Sequence, residues 1–189
     1  MNRNADQEYK IVFTGPMGAG KTTAIRAISD VSPVTTEVVN TDRESCAKES
    51  TTAALDYGEL LLDDDTTVRL YGTPGQERFS FMWEILCRGA IGVILLIDGS
   101  QATAMADLRM YAEVFQRMSP DQAFVIGVGR APQDDGRQFD EYTHALTGLG
   151  VVAPVFGVDV RNRDDVLLLI ETLLCIVEAQ VREPADAVI

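Results

Sequence analysis

The sequence predicts an α/β domain in which helices cover both faces of a mainly parallel, six-stranded sheet. Segments of strand and helix character alternate along most of the chain, which is the order that builds parallel sheets. Residues 91–97 and 123–128 are apolar throughout, as expected of strands that are covered on both faces. The alternation breaks once, where strands at residues 52–62 and 66–71 follow each other directly. We interpret the three aspartates at residues 63–65 as a solvated hairpin turn rather than a metal site, which makes this pair antiparallel.

The remaining elements follow from local periodicity and from the residues that end helices. Residues 30–50 show little periodicity and are predicted to form a long functional loop. We expect one domain over residues 1–189, with a core at about 9–181 and flexible tails at 1–8 and 182–189. The predicted strands are residues 10–14, 52–62, 66–71, 91–97, 123–128 and 152–158, and the predicted helices are residues 22–29, 79–89, 102–118, 138–146 and 164–181.

Composition restricts the kinds of partner that the chain can have. The net charge is −13, and a strongly acidic surface repels both nucleic-acid backbones and anionic membranes. The longest uncharged apolar run, residues 90–97, is too short to cross a bilayer, so no integral membrane segment is expected. Cys46, Cys87 and Cys175 lack paired or metal-ligand spacing, which favours reduced thiols in the cytoplasm. The polar residues at the N-terminus predict that there is no signal peptide.

The clearest chemistry lies in residues 15–22, which read Gly-Pro-Met-Gly-Ala-Gly-Lys-Thr between a predicted strand and a predicted helix. This is the G-x-x-x-x-G-K-T pattern of a phosphate-binding loop, the P-loop. Its glycines let successive backbone N–H groups turn inward, and the helix N-terminus adds positive charge at the same point. Lys21 reaches the terminal phosphates, and the Thr22 hydroxyl ligates Mg²⁺. We therefore assign binding of a nucleoside triphosphate to Gly15, Pro16, Met17, Gly18, Ala19, Gly20, Lys21, Thr22 and Thr23.

Three further stretches match a known family. Residues 51–58 (Thr-Thr-Ala-Ala-Leu-Asp-Tyr-Gly), residues 72–79 (Gly-Thr-Pro-Gly-Gln-Glu-Arg-Phe) and residues 88–94 (Arg-Gly-Ala-Ile-Gly-Val-Ile) resemble segments of the Ras-like small GTPases. The first resembles switch I, with Thr52 at the position of the Mg²⁺-binding threonine, and the second resembles switch II. The second run, followed by Met82 and Trp83, is most similar to the bacterial conservon-type GTPases and more distantly to the gliding-motility polarity GTPase.

The resemblance implies a cytoplasmic switch that binds GTP or GDP with Mg²⁺ and hydrolyses GTP slowly. It also implies a protein partner at switch I and switch II, of the roadblock/LC7 type in the bacterial members. Within switch II, the Gly75 N–H would meet the γ-phosphate, and the Gln76 amide would orient the attacking water. The alternative for Gln76 is an exposed turn residue without a role in catalysis.

The sequence departs from the family pattern at two places. Gly72 stands where switch II usually begins with an aspartate that steadies Mg²⁺, so Mg²⁺ affinity is expected to be lower. Residues 129–132 (Gly-Arg-Ala-Pro) replace the usual guanine-specific motif, leaving Arg130 to stack on a base, with Asp134 or Asp135 as alternative contacts from a shifted loop. Asp98, which ends an apolar run, is predicted to cap a turn near Ser100.

These departures leave a second interpretation open, a P-loop nucleotide-binding scaffold with relaxed base specificity and little turnover. A P-loop kinase of small molecules is a third interpretation. It is less favoured, because the sequence has no arginine-rich lid and because such a kinase has no use for the Gly-Gln-Glu-Arg-Phe run.

The helix after switch II predicts a docking surface. A helix on a sheet buries only one stripe, so some of its many large apolar side chains should be exposed. Such side chains are typical of interface cores, although they would alternatively fill gaps beneath mobile switch loops. The apolar run at residues 166–170 in the last helix is a rival surface that would support self-association. Phe79, Met82 and Leu86 share one face of the predicted helix at three- and four-residue spacing, Trp83 lies close to that face, and Phe81 and Ile85 fall on another.

Overall fold

A computed structural model describes residues 7–38, 53–63, 66–131 and 137–182. The strands are β1 (Gln7–Thr14), β2 (Val34–Val38), β3 (Ala53–Asp63), β4 (Thr66–Gly72), β5 (Gly92–Asp98), β6 (Ala123–Gly129) and β7 (Val155–Val158). The helices are α1 (Lys21–Ile28), α2 (Ser80–Cys87), α3 (Ala104–Met118), α4 (Arg137–Gly148) and α5 (Arg163–Arg182), and a 3₁₀ turn, Glu77–Phe79, leads into α2.

The strands form one sheet in the order β2-β3-β4-β1-β5-β6-β7. The central strand β1 pairs in parallel with β4 and with β5, and the parallel pairing continues through β6 to β7. The hairpin between β3 and β4 is antiparallel, as predicted. The α/β class with a mainly parallel sheet is therefore confirmed.

A seventh strand, β2, lies in a segment that periodicity predicts to be loop. It pairs antiparallel with β3, placing Val34 opposite Tyr57 and Val38 opposite Ala53. Its sequence, Val-Thr-Thr-Glu-Val, consists mostly of β-branched residues, which favour strands once a partner edge is present. Because that edge comes from a distant segment, local periodicity does not reveal the strand. The rest of the predicted loop, residues 39–50, lies outside the described residues.

The ends of the chain also differ from the sequence prediction. Strand β1 begins at Gln7, so Gln7 and Glu8 belong to the sheet rather than to a tail, and α5 extends to Arg182, the first residue of the other predicted tail. The remainder of the predicted tails, residues 1–6 and 183–189, lies outside the described residues. Cys87 and Cys175 form no disulfide in the described part of the chain, and Cys46 lies outside the described residues.

The two faces of the sheet build two hydrophobic cores. Alternation along β1 sends Ile11 and Phe13 to the core under α1 and α5, and Val12 to the core under α2, α3 and α4. All seven residues of β5 are buried, as predicted for a strand covered on both faces. The carboxyl ends of the parallel strands lie at one edge of the sheet, where open α/β folds place their ligand sites.

Candidate functional site

The P-loop connects the carboxyl end of β1 to α1. Gly15, Gly18 and Gly20 have φ angles of 136°, 85° and 96°, in the region that favours glycine. The Ala19 N–H donates to the Pro16 carbonyl at 3.2 Å, which closes the loop. The backbone therefore curls around the start of α1, as the sequence motif predicts.

Lys21 lies at the centre of this loop and is buried. Its Nζ donates to the Gly15 carbonyl at 2.7 Å and to the Pro16 carbonyl at 2.8 Å. Burial lowers the pKa of Lys21 to about 8, against the opposing effect of the Asp56 carboxylate. A phosphate group is a better partner for such a cation than neutral carbonyls, because it compensates the buried charge.

Asp56 of β3 is a site residue that the sequence analysis missed. Its carboxylate is buried and accepts a hydrogen bond of 2.5 Å from the hydroxyl of Thr22, the predicted Mg²⁺ ligand. It lies directly opposite Gly72 in the β3–β4 pairing. A Cβ atom on Gly72 would lie only 3.0 Å from the Asp56 Cβ and 3.1 Å from its Oδ2. The glycine thus leaves room for a carboxylate from the neighbouring strand, and only knowledge of the strand register would have revealed it.

The first part of the segment that resembles switch II packs directly on the P-loop. A Cβ atom on Gly75 would lie 2.5 Å from the Met17 backbone nitrogen and 2.8 Å from Lys21 Nζ, so only glycine fits. The Thr73 hydroxyl lies 2.9 Å from that of Thr14 at the end of β1. The Trp83 indole N–H donates to the Pro74 carbonyl at 3.0 Å. These contacts hold residues 73–75 against the phosphate-binding loop.

Gln76 follows Gly75 and lines a cavity beside the P-loop. Its Oε1 accepts a hydrogen bond of 2.7 Å from Arg78 Nε, and its Nε2 lies 3.8 Å from the Met17 sulfur. The side chain is partly exposed and therefore has room to turn. The structure brings Gln76 next to Gly75 and the P-loop, as the sequence predicts.

Two cavities meet at this edge of the sheet. The P-loop cavity, of about 320 Å³, is lined by the P-loop, Asp56 and residues 73–76. The strand-end cavity, of about 800 Å³, is lined by residues at the ends of β5, β6 and β7, including Asp98 and Asp159. Arg130 lines both cavities. Together the two spaces suit a ligand that has a phosphate tail and a ring at the other end.

Asp98 has the predicted turn role and a further one. Its carboxylate accepts hydrogen bonds from the Ser100 backbone N–H at 3.1 Å and the Ser100 hydroxyl at 2.6 Å, and from the Gln101 amide. It also accepts from Arg130 Nη1 at 2.5 Å. Burial opposes the charge of Asp98, but these hydrogen bonds outweigh burial and hold its pKa below the ordinary value.

Other predicted site residues are only partly accounted for. Gly129 ends β6 and has no side chain with which to reach a base. Thr52, together with Asp134 and Asp135, lies outside the described residues. Among the described residues no group of three or more His, Cys, Asp or Glu side chains forms a metal site. The Thr22 hydroxyl and the Asp56 carboxylate nevertheless fit Mg²⁺, which prefers a few oxygen ligands completed by phosphates and water.

Helix α2 exposes part of its apolar surface. Phe81 is 63% exposed and Ile85 is 59% exposed, which confirms that this helix does not bury all of its large apolar side chains. Trp83 is fully buried, with its ring stacked 4.7 Å from that of Tyr111 and 6.0 Å from that of Phe115. Trp83 therefore belongs to the core and not to a docking surface, so the exposed patch of α2 is defined here by Phe81 and Ile85.

A family model places the chain among known proteins. The model described as "Conserved hypothetical ATP binding protein" matches residues 32–126, just over half of the chain. The chain belongs to this family. The matched segment contains Asp56, the switch II segment and α2, and it begins after the P-loop.

Similarity to Ras-related proteins extends over more of the chain. The Ras-related protein RAB1BV of Beta vulgaris is 25% identical over 183 residues, covering 84% of this chain and 80% of that protein. The Ras-related protein Rab-12 of Mus musculus is 24% identical over 156 residues, covering 78% of this chain and 59% of that protein. An uncharacterised protein of Methanocaldococcus jannaschii is 31% identical over 100 residues, which are 53% of this chain and 57% of that protein. The chain therefore spans less than two thirds of two of these relatives.

These similarities are weak, but they agree with the fold. Together with the family match they indicate a P-loop NTPase fold and nucleotide binding. None of the helices that the structure describes is both long enough and apolar enough to span a membrane.

Proposed function

We propose that this protein is a GTP-binding molecular switch that hydrolyses GTP slowly, depends on Mg²⁺ and signals through a protein partner in the cytoplasm. The main support is the packing of Gly75 against Met17 and Lys21. A terminal phosphate in the P-loop cavity would touch both the P-loop and switch II, so its loss would release switch II. That is the physical requirement for a conformation that reports which nucleotide is bound.

Each step of binding and hydrolysis has a candidate residue. Lys21 exchanges its two carbonyl partners for phosphate oxygens. Thr22 would be the direct ligand of a bound Mg²⁺, Asp56 would orient the Thr22 hydroxyl and nearby water, and Thr52 is proposed as a second ligand. When bound, Mg²⁺ neutralises charge on the terminal phosphates. Gln76 turns away from Arg78 and orients the attacking water through its freed amide oxygen.

The proposed partner docks on switch I and on the exposed patch of α2. Phe81 and Ile85 lie on the helix that follows switch II directly, so movement of that loop would be transmitted to them. Aromatic residues are enriched at the centres of interfaces. The resemblance to conservon-type GTPases suggests a partner of the roadblock/LC7 type.

A second candidate function is a nucleotide-binding scaffold with relaxed base choice and little turnover. Gly129 offers no side chain to a base edge, and the Gln76 amide oxygen is already bound by Arg78. The family description names ATP rather than GTP. These observations are compatible with both functions, and absence of hydrolysis would decide for the scaffold.

The deciding experiment is to identify by mass spectrometry the nucleotide carried through purification and then to measure single-turnover hydrolysis. We expect guanine nucleotide and GTP turnover on the order of 10⁻⁴ to 10⁻² s⁻¹, slower still in Gln76→Leu. Mixed guanine and adenine nucleotides without phosphate release would establish the scaffold instead. A protein that binds neither GTP nor ATP in titrations would refute both functions.

A further inference from the structure

Arg130 has a backbone conformation that is unusual for its residue type. Its φ angle of 52° makes it the one non-glycine residue with positive φ among the described residues. A side chain in the left-handed region costs free energy that glycine would avoid. Strain of this kind persists where the surrounding structure requires it, often at ligand sites.

The strained backbone brings the Arg130 guanidinium to two acceptors. Its Nη1 donates to the buried carboxylate of Asp98 at 2.5 Å and to the Gly18 carbonyl of the P-loop at 3.1 Å. The Asp98 side chain is 8% exposed, whereas the Arg130 side chain is 62% exposed. Arg130 Nη1 is thus fixed by the buried Asp98 carboxylate, while the rest of the guanidinium remains open to the cavities.

These contacts join three separate segments of the site. Asp98 ends β5, Arg130 follows β6, and Gly18 belongs to the P-loop. The Gly99 N–H donates to the Gly129 carbonyl at 2.7 Å, so the two strand ends are already tied together. Arg130 extends this tie to the phosphate-binding loop.

The ion pair is not needed to satisfy the buried carboxylate of Asp98. The carboxylate has three other donors, namely the Ser100 N–H, the Ser100 hydroxyl and the Gln101 amide. The Arg130 side chain is 62% exposed, so water competes for its guanidinium and reduces what the ion pair contributes to folding. A role in stability alone therefore does not account for an arginine in a strained conformation at this point.

We propose that Asp98 is a positioning residue for nucleotide binding. It holds Arg130 across the junction of the P-loop cavity and the strand-end cavity, so that Arg130 Nη1 fixes Gly18 and the guanidinium plane stacks on the base. This inference rests on the proposed nucleotide binding. Stacking on a guanidinium plane uses the face of a base and not its hydrogen-bonding edge. The ligand class is accordingly purine nucleotides, with guanine and adenine held alike by this contact.

The test compares release of fluorescent GDP and ADP from the wild-type protein, Asp98→Asn, Arg130→Gly and the double variant. We expect each single change to speed release of both nucleotides by roughly tenfold, and the double variant to be no faster than Arg130→Gly, because the two residues act as one unit. Glycine suits a φ of 52°, so Arg130→Gly should melt no lower than wild type without nucleotide. Ser100→Ala, which removes a donor to Asp98 but leaves Arg130 in place, is the matched control and should release both nucleotides at wild-type rates.

Several results would overturn this inference while leaving the proposed function intact. One is multiplication of the two single effects in the double variant, since Asp98 would then act independently of Arg130. Another is faster release of GDP but not of ADP from the single variants, which would mean that Arg130 contacts the hydrogen-bonding edge of guanine. If Asp98→Asn does not fold, Arg130→Lys replaces it. The lysine ammonium can donate to both acceptors but has no plane to stack on a base, so wild-type release from Arg130→Lys would equally reject the proposal. A wild-type protein that binds no nucleotide would overturn the proposed function and this inference together.

Discussion

Lys21 is a buried cation whose hydrogen-bond partners are backbone carbonyls. The lowered pKa, about 8, shows that burial costs the charged form free energy. A bound phosphate would compensate this cost, so stability is given up for binding at this position.

Replacing Lys21 by methionine should separate stability from binding. Methionine fills a similar volume without a charge, so the nucleotide-free protein should melt at an equal or higher temperature. Loss of the charged contact to phosphate should weaken nucleotide binding by about a hundredfold or more. Calorimetry of the nucleotide-free protein and titration with labelled GTP measure the two effects.

Lys10 provides the matched control for that change. It lies on β1, and its Nζ donates to the Arg88 carbonyl and lies 5.0 Å from the centre of the Tyr71 ring, away from both cavities. Lys10→Met removes the same charge and should leave nucleotide affinity unchanged. Equal losses of affinity in the two variants would mean that net charge, and not the P-loop contact, governs binding.

Because Asp56 of β3 lies opposite Gly72 of β4, we predict that either strand can supply the carboxylate beside Thr22. Asp56→Ala should increase roughly tenfold the Mg²⁺ concentration that is needed to slow nucleotide release. Outer-shell partners of metal ligands have effects of this size on metal affinity. Gly72→Asp alone should destabilise the fold, because the new side chain would crowd Asp56 and bring two carboxylates together. The double variant Asp56→Ala, Gly72→Asp should recover much of the Mg²⁺ response.

Nucleotide release measured across a Mg²⁺ titration distinguishes these outcomes. A double variant with no better response than Asp56→Ala would show that a carboxylate from β4 cannot replace the one from β3. Wild-type behaviour of Asp56→Ala would remove Asp56 from the metal site altogether.

At the scale of elements, contiguous motifs were predictable and contacts between distant segments were not. The motif at residues 15–22 was recognisable because its residues are contiguous, running from the end of β1 into the first turn of α1. Asp56 was missed because its role depends on the β3–β4 register, and the Asp98–Arg130 pair depends on two strand ends 32 residues apart. Strand β2 was missed for the same reason, since its pairing edge is supplied by β3.

Helix α2 shows where periodicity alone was insufficient. Three- and four-residue spacing separated Phe81 and Ile85 from the buried face, and both are exposed. Trp83 was close to that face in the pattern, and its burial follows from the Tyr111 and Phe115 rings of α3, which the pattern of α2 does not contain.

Substitutions in α2 should therefore separate docking from folding. Phe81→Ala with Ile85→Ala should change the free energy of unfolding by less than about 1 kcal/mol, because both side chains are exposed. The same pair should abolish capture of a purified roadblock/LC7-type protein by the triphosphate-loaded form. Denaturant unfolding and a binding assay in both nucleotide states measure the two effects.

Trp83→Ala is the contrasting variant for the same helix. It removes a fully buried ring and the hydrogen bond to Pro74, and it should cost about 3–5 kcal/mol. Undiminished capture by the Phe81→Ala, Ile85→Ala protein would show that the exposed patch of α2 is not the docking surface.

At the scale of the whole molecule, the candidate site is spread along one edge of the sheet. The loop after β1 surrounds the P-loop cavity, and the ends of β5, β6 and β7 surround the strand-end cavity. Parallel pairing of these strands brings segments more than a hundred residues apart within one hydrogen bond, as between Arg130 and Gly18. The protein as a whole carries a net charge of −13, whereas the two cavities are lined by as many cationic side chains (Lys21, Arg130 and Arg161) as carboxylates (Asp56, Asp98 and Asp159).

The composition of this edge predicts weak discrimination between GTP and ATP. A site that hydrogen-bonds the edge of its ligand rejects an analogue by 10⁴- to 10⁵-fold, whereas apolar and stacking contacts give about 10- to 200-fold. Gly129 has no side chain with which to bind a base edge, and Arg130 is held by Asp98 and Gly18. We therefore expect GDP and ADP to differ by roughly a hundredfold or less in competition binding, and IDP, which lacks the 2-amino group of guanine, to bind about as well as GDP. A preference for GDP above 10⁴-fold, lost with IDP, would contradict this expectation and would assign an acceptor to Asp134 or Asp135, which Asp134→Asn and Asp135→Asn would then identify.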